Sequence, residues 1–392
     1  MNSTKRHPAR RWLTVAAPLL AACVAVTTLA ACGSSPARAR TAAHQINPRH
    51  QLLIPVARAS TTSTFLTVTT SQLVTRVPRH AGPGVEYIVR YPVSTVQLRS
   101  LRNGRVVATL LHSLGDLQAV QARGGSVIAV ASFGCRSDVY RINPRTGRST
   151  LLRTLPESAT DIALSPDGRT LAYITYPARS RQPCQPVRQP RRPVRTVANP
   201  GGPVQFLPSV LAVTSLATGA TVHAATPSPG NPFSDPAWSP DGRQIAAVYS
   251  GGDNPILVMP AAHPSFAAAR RVRPPRHCQY FSAAWTTRGL TAALGCAPWG
   301  PSISPSTLVQ LSAAGRQTAR WRLPACVNGV NVLADPAGHR VLVDADTGYG
   351  NGPCGKSRRA WHIRIEQVRG AALDAMASYP DYGGPQLRLT GW

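Results

Sequence analysis

The segment Leu164-Ser165-Pro166-Asp167-Gly168-Arg169-Thr170-Leu171-Ala172-Tyr173 comes back later in the chain as Trp238-Ser239-Pro240-Asp241-Gly242-Arg243-Gln244-Ile245-Ala246-Ala247. Both read as strand, tight turn, strand. Proline fixes φ as the turn begins, aspartate can bond its own backbone, and glycine takes the positive φ that closes the turn. The flanking residues are apolar and strand-prone. A hairpin repeated in nearly the same letters marks a repeat architecture, and the repeat decides the fold.

Weaker copies follow from this frame. Asp335-Pro336-Ala337-Gly338 keeps the proline and the glycine, Trp285-Thr286-Thr287-Arg288-Gly289 keeps the aromatic and the glycine, and Gly124 precedes a strand at Val127. Gly84, before Tyr87-Ile88-Val89, is the poorest candidate copy. Anchored on Gly84, Gly124, Gly168, Gly242, Gly289 and Gly338, the steps are 40, 44, 74, 47 and 49 residues. Four of the five match a four-stranded propeller blade, which repeats about every 40–50 residues. Second hairpins are read at Val96–Leu101 with Val106–Leu111, Val139–Asn143 with Ser149–Leu152, Val210–Leu216 with Thr221–Ala224, and Leu308–Leu311 with Thr318–Leu323. Two hairpins per repeat make a blade. The expected fold is all-β: a β-propeller of six four-stranded blades, or seven if the stretch before Gly84 holds two. Ring closure should bring Phe65–Thr70 or Leu387–Leu389 into the opposite terminal blade, hiding an open edge. The abundance of Gly (31) and Pro (37) agrees with many turns. Only a brief Ala-rich stretch, Ala371–Ala377, hints at a helical period.

The Ser-Pro-Asp-Gly-Arg copies resemble the WD-like repeats of TolB-type β-propellers, a repeat shared with the propeller of prolyl-oligopeptidase-like peptidases. The resemblance covers most of residues 63–392. It implies that Ser165, Pro166, Asp167, Gly168, Ser239, Pro240, Asp241 and Gly242 are structural turn residues, so Asp167 and Asp241 are poor catalytic candidates. In propellers with strands A to D, A innermost, ligands usually bind where the B–C loops and D–A crossings meet.

The chain opens with Lys5, Arg6, Arg10 and Arg11, then runs uncharged and apolar from Trp12 to Ala31. This is a secretory signal pattern, and an uncleaved membrane anchor is its rival reading. The ending Leu29-Ala30-Ala31-Cys32 resembles the lipobox of bacterial lipoproteins. That implies removal of residues 1–31 and acylation of Cys32 by palmitate-type chains, fixing the protein to the outer, extracytoplasmic face of a cell membrane. Residues 32–62 read as a lipidated flexible tether, and residues 63–392 as the propeller.

The formal charge is +28, almost all from arginine, with only Lys5 and Lys356 as lysines. Export argues against nucleic acid as the counter-charge, and the arginine, alanine and proline bias reads as codon choice in a GC-rich genome. Anionic headgroups or wall polymers are the remaining partners. The densest basic run falls in a Pro-rich insertion at about residues 178–208. It carries Arg179, Arg181, Arg188, Arg191, Arg192 and Arg195 and has no apolar period. It reads either as a binding arm or as a tolerated surface insertion.

Six further cysteines remain in the exported domain, an even number that points to disulfides. The blade map suggests Cys278–Cys296, Cys326–Cys354 and Cys135–Cys184, all on the B–C face. Zinc lacks any Cys-x-x-Cys spacing. No Gly-x-Ser-x-Gly elbow, P-loop or His-Glu-x-x-His motif is present. Asp344-Ala345-Asp346-Thr347-Gly348 reads as a B–C turn, with a calcium loop as its rival. No catalytic residue, metal or cofactor is assigned. The expected role is a non-catalytic binding or scaffold protein of the cell envelope, with an envelope protein, peptide or anionic wall polymer as partner. The alternatives are an exported hydrolase or lyase with its site on the B–C face, and an envelope sensor or accessory subunit. Oligomeric state is left open.

Overall fold

The repeated turns close as their letters require. Gly168 N–H donates to Ser165 O at 2.8 Å, and Gly242 N–H to Ser239 O at 2.9 Å. Their φ angles are +72° and +71°. The Asp167 carboxylate accepts from the Ser165 hydroxyl at 2.5 Å and from Arg169 N–H at 3.0 Å. Asp241 does the same with Ser239 at 2.6 Å and Arg243 N–H at 3.1 Å. Each turn is thus saturated by its own residues and launches a hairpin at a fixed register.

A computed structural model of the chain describes residues 64–77, 87–122, 124–133, 136–176, 208–227, 231–296, 305–324, 327–347, 361–370, 372–381 and 386–391. The chain divides into two units, Met1–Gln45 and Ile46–Trp392, and every described residue belongs to the second. The signal segment, Cys32, the tether, the basic insertion with its six arginines, and Cys135, Cys184, Cys326 and Cys354 lie outside the described residues.

The described residues form 24 strands in six four-stranded antiparallel sheets. Blade 1 begins with β1 (Thr64–Val77), β2 (Tyr87–Ser100) and β3 (Val106–Leu114). Blade 2 is β4 (Asp116–Gln121), β5 (Val127–Phe133), β6 (Arg136–Ile142) and β7 (Ser149–Leu155). Blade 3 is β8 (Thr160–Leu164), β9 (Thr170–Thr175), β10 (Val210–Ser215) and β11 (Thr221–Ala225). Blade 4 is β12 (Phe233–Trp238), β13 (Gln244–Tyr249), β14 (Ile256–Pro260) and β15 (Arg270–Val272). Blade 5 is β16 (Cys278–Thr286), β17 (Gly289–Cys296), β18 (Thr307–Leu311) and β19 (Gln317–Arg322). Blade 6 is β20 (Val327–Ala334), β21 (Val341–Thr347), β22 (Trp361–Arg369) and β23 (Ala372–Asp381). The last strand, β24 (Gln386–Gly391), pairs with β1 from Thr70↔Gln386 to Leu66↔Gly391 and becomes the innermost strand of blade 1. The innermost strands β24, β4, β8, β12, β16 and β20 contact one another in sequence around the ring. The molecule is therefore a six-bladed β-propeller, closed by the C-terminal strand on the β1 segment expected from sequence.

The core is divided among the seams between blades. One buried cluster joins Leu66, Val68 and Leu98 of blade 1 to Leu117 and Val127 of blade 2. Another joins Ile128 and Val130 to Leu171 and Tyr173, a third Ile174 and Leu211 to Phe233 and Ile245. The remaining seams repeat the plan, down to Phe65 and Leu101 against Leu342 and Ile365 where blade 6 meets blade 1. A blade packed on both faces buries both faces of its middle strands, so β17 is buried from Gly289 to Gly295 and shows no clean alternation. Alanines such as Ala172, Ala246 and Ala292 let neighbouring blades approach. Each fully buried Leu or Ile contributes ~1.5–3 kcal/mol to this packing.

Four details depart from the sequence reading. Gly84 falls between β1 and β2, the second and third strands from the axis, and so cannot mark an A–B turn. The chain starts at strand B because strand A of that blade comes from the C-terminus. In blade 2 the turn glycine is Gly125, whose N–H donates to Ala122 O at 3.0 Å, rather than Gly124. The Ala-rich stretch is not helical: Ala372–Asp381 is the outer strand of blade 6. Asp344 and Asp346, read as part of a loop, lie within strand β21.

Candidate functional site

The inner strands converge on a cavity of about 130 Å³ at the ring axis, lined by residues from all six blades. Its wall includes the A–B turn residues Ser165, Pro166, Pro240, Asp335 and Pro336, so it reaches the face of the A–B turns. Sequence reasoning favoured the opposite face, where most B–C loops lie outside the described residues.

Counting back seven residues from the turn glycines Gly125, Gly168, Gly242, Gly289 and Gly338 gives Gln118, Asp161, Asp235, Ser282 and Asn331. A polar residue stands at this position in each of these blades, on the innermost strand. Two of them stitch blades together. Gln118 Oε1 accepts the Ile162 N–H of the next blade at 2.9 Å, and Ser282 Oγ accepts the Val332 N–H at 3.0 Å. The corresponding position of blade 4 is Pro236, which has no N–H, so Asp161 cannot form that bond.

Asp161 and Asp235 also share a backbone feature. Their φ angles are +45° and +49°, in the left-handed region. Both sit at register shifts, between Thr160 and Ala163 and between Ser234 and Ala237. A bulge of this kind re-aims a side chain at a cost of ~1–2 kcal/mol in the left-handed conformation. Both residues line the cavity, with Gln118 and Asn331. The negative charge of Asp161 adds to burial in pushing the Tyr176 phenol above its ordinary range.

Trp238 and Trp285 occupy one repeat position, four residues before the turn glycine, and both line the cavity. Trp238 Nε1–H donates to Ala163 O across the seam at 3.1 Å. Trp285 is only 6 % exposed. Its Nε1, like the Thr390 Oγ1 in the same wall, is buried with no hydrogen-bond partner among the described residues. The site therefore combines two carboxylates, amide and hydroxyl groups and two indoles in a small cavity that opens on the A–B face.

The turn aspartates are not part of this chemistry. The Ser165 hydroxyl holds Asp167 below the usual carboxylate range, and Ser239 does the same for Asp241. Among the described residues no group of three or more His, Cys, Asp or Glu side chains is placed to hold a metal. A disulfide joins Cys278 to Cys296, tying the start of β16 to the end of β17, where the two residues face each other in register. Sequence reading gave the turns and this disulfide but not the polar ring. Its members are single residues in five different strands, and the signal that finds them is their common offset from the turn glycine.

No family model matches the chain, and no curated protein matches it. Solved structures do. TolB from Acinetobacter baumannii is similar with a TM-score of 0.52 at 14% identity, over 83% of this chain and 66% of that one. This chain thus spans just under two thirds of that protein's length. A protein described as putative TolB from Agrobacterium tumefaciens is similar at 11% identity with a TM-score of 0.46, covering 84% of this chain and 93% of that one. An oligogalacturonate lyase in complex with manganese is similar at 12% identity with a TM-score of 0.44, covering 70% of each chain. The fold is that of a TolB-type six-bladed β-propeller. At these identities the likeness is one of fold.

Proposed function

We propose that this protein is a lipid-anchored, extracytoplasmic β-propeller that binds a partner protein or peptide without catalysing a reaction, and that it takes one side chain or chain end of that partner into the axial cavity. The observation that carries this reading is the cavity itself. Its volume of about 130 Å³ suits a small group. Its walls pair apolar indole surface with a few convergent polar groups, as binding pockets do. The lipobox-like Leu29-Ala30-Ala31-Cys32 supports the anchor.

A second reading keeps the same site but makes it catalytic, because Asp161 and Asp235 bring two carboxylates to one cavity. One experiment separates them. The full chain and its Asp235→Asn and Trp285→Phe variants are purified from native membranes after in-cell cross-linking, and co-purified proteins are quantified by mass spectrometry. One partner lost about tenfold or more in both variants supports binding at the cavity. Unchanged recovery in both refutes it, and turnover of envelope glycans or peptides by the parent and not by Asp235→Asn supports the catalytic reading. In the same preparation Cys32→Ser should release the protein into the medium. A parent chain that still begins at Met1 would refute the anchor.

A further inference from the structure

Between Asp253 and Asp335 the chain contains no Asp or Glu, yet it carries eight arginines. This stretch folds into the outer half of blade 4, the whole of blade 5 and the innermost strand of blade 6, and all eight arginines precede that last strand. In a protein of charge +28 with 15 acidic residues, this wedge of the ring thus carries cations with no anion of its own.

The strand registers gather part of it into a cleft. Val272 of β15 packs with Val258, Val309 and Leu311 in the seam between blades 4 and 5. Alternate residues of a strand share a face, so Arg270 faces the same seam, opposite Val258. From the other side, Arg320 stands opposite Val309 and Arg322 opposite Thr307 on β19. Arg320 Nη2 donates to Thr307 Oγ1 at 3.2 Å. The Gly315 turn closes one end: a β-carbon there would lie 3.1 Å from Val272 Cγ1 and 3.8 Å from Arg270 Nη1. Arg316 follows directly. Arg270, Arg316, Arg320 and Arg322 are all exposed. Among the described residues the ion pairs are Arg136–Asp138, Arg340–Asp335, Arg369–Asp374 and His223–Glu157, so none of the four has a carboxylate partner.

We infer that the outer cleft between blades 4 and 5 binds a linear polyanion. Four like charges along one groove repel each other, and no local carboxylate offsets that repulsion. A bound chain of anions would offset it and release counterions. Arg320 and Arg322 are two residues apart on a strand, ~7 Å at the usual rise, and Arg270 and Arg316 extend the row towards the C–D turn. A row of exposed cations along one seam between two outer strands matches an extended chain better than a flat bilayer. Guanidinium forks suit phosphate or carboxylate oxygens. This surface lies on the rim of the ring, separate from the axial cavity.

The test uses the purified full chain and inorganic polyphosphate, with orthophosphate and phosphatidylglycerol vesicles as the other arms. The parent should bind polyphosphate and bind orthophosphate at least about a hundredfold more weakly. Replacing Arg270, Arg316, Arg320 and Arg322 with Gln should weaken polyphosphate binding tenfold or more and flatten its salt dependence, an effect of order one phosphate contact per arginine. Replacing the same four with Lys should keep affinity within about threefold. A control removes equal charge from exposed Arg102, Arg105, Arg145 and Arg148 and should lose less than about twofold. Equal losses in the cleft and control variants would overturn the inference, because the charge would then act without a site. So would vesicle binding by the parent without polyphosphate binding, or no binding to either.

Discussion

Replacing Gly289 with alanine should be far more costly than the same change at Gly168 or Gly242, although all three are glycines of A–B turns, because the blade 5 turn is shorter and Gly289 already begins β17, opposite Thr286. At Gly168 and Gly242 the φ angles are +72° and +71°. An added methyl would meet only Ala122 Cβ at 3.9 Å or Pro166 Cδ at 3.7 Å. The cost there is the left-handed backbone, ~1–2 kcal/mol, less ~0.4–1 kcal/mol gained by restricting the unfolded chain. About 1 kcal/mol of destabilisation is expected. At Gly289 φ is +117°, and a β-carbon would stand 2.1 Å from Leu311 O and 3.1 Å from Ser312 C. Leu311 belongs to β18 and pairs with Leu290, the residue after the substitution. The carbonyl must retreat by about 1 Å to reach an ordinary contact distance, opening the ladder at that end and loosening Leu290 and Leu311 in the seam. We expect a loss of about 3–5 kcal/mol, the range of severe single substitutions. The assay is urea unfolding of the full chain followed by tryptophan fluorescence, with stability taken from midpoints at constant slope. If Gly289→Ala falls within about 1 kcal/mol of Gly168→Ala, the close approach of β18 is not rigid and the reasoning fails.

Replacing Cys278 and Cys296 together with serine should cost about 2–3 kcal/mol, from a loop with a sequence separation of 18, read in the same assay. Non-reducing peptide mapping should also return Cys326–Cys354 and Cys135–Cys184, and a Cys184–Cys278 peptide would break the blade map beneath that pairing. At high pH, burial pushes the Tyr280 phenol up to about 12. A folded value above the unfolded one of about 10 stabilises the fold below pH 10, and this contribution is lost as pH rises through about 12. Tyr280→Phe should therefore remove a late phase near pH 12 from the phenolate absorbance titration; an unchanged titration would show that Tyr280 ionises with the unperturbed tyrosines.

What the sequence determined by itself is what local chemistry decides. The Ser-Pro-Asp-Gly turns find their hydrogen-bond partners within five residues, so the letters alone specify hairpin, register and, through repetition, the propeller. The Cys278–Cys296 disulfide was legible for a related reason: the two residues end one strand pair, and a hairpin of known register brings them opposite each other. Tertiary structure decided whatever depends on how blades meet. Gly84 misled because the ring closes by giving blade 1 its inner strand from the far end of the chain, and only burial of that open edge dictates the choice. Gln118, Asp161, Asp235, Ser282 and Asn331 are unremarked polar letters until the innermost strands converge on one axis. Arg270 and Arg320 are fifty residues apart and face one seam only because Val272 and Val309 bury their apolar surface in it. Hydrogen bonds within a turn are settled by adjacent residues, but the site and the charged cleft are settled by long-range apolar packing, which a linear reading of the letters does not contain.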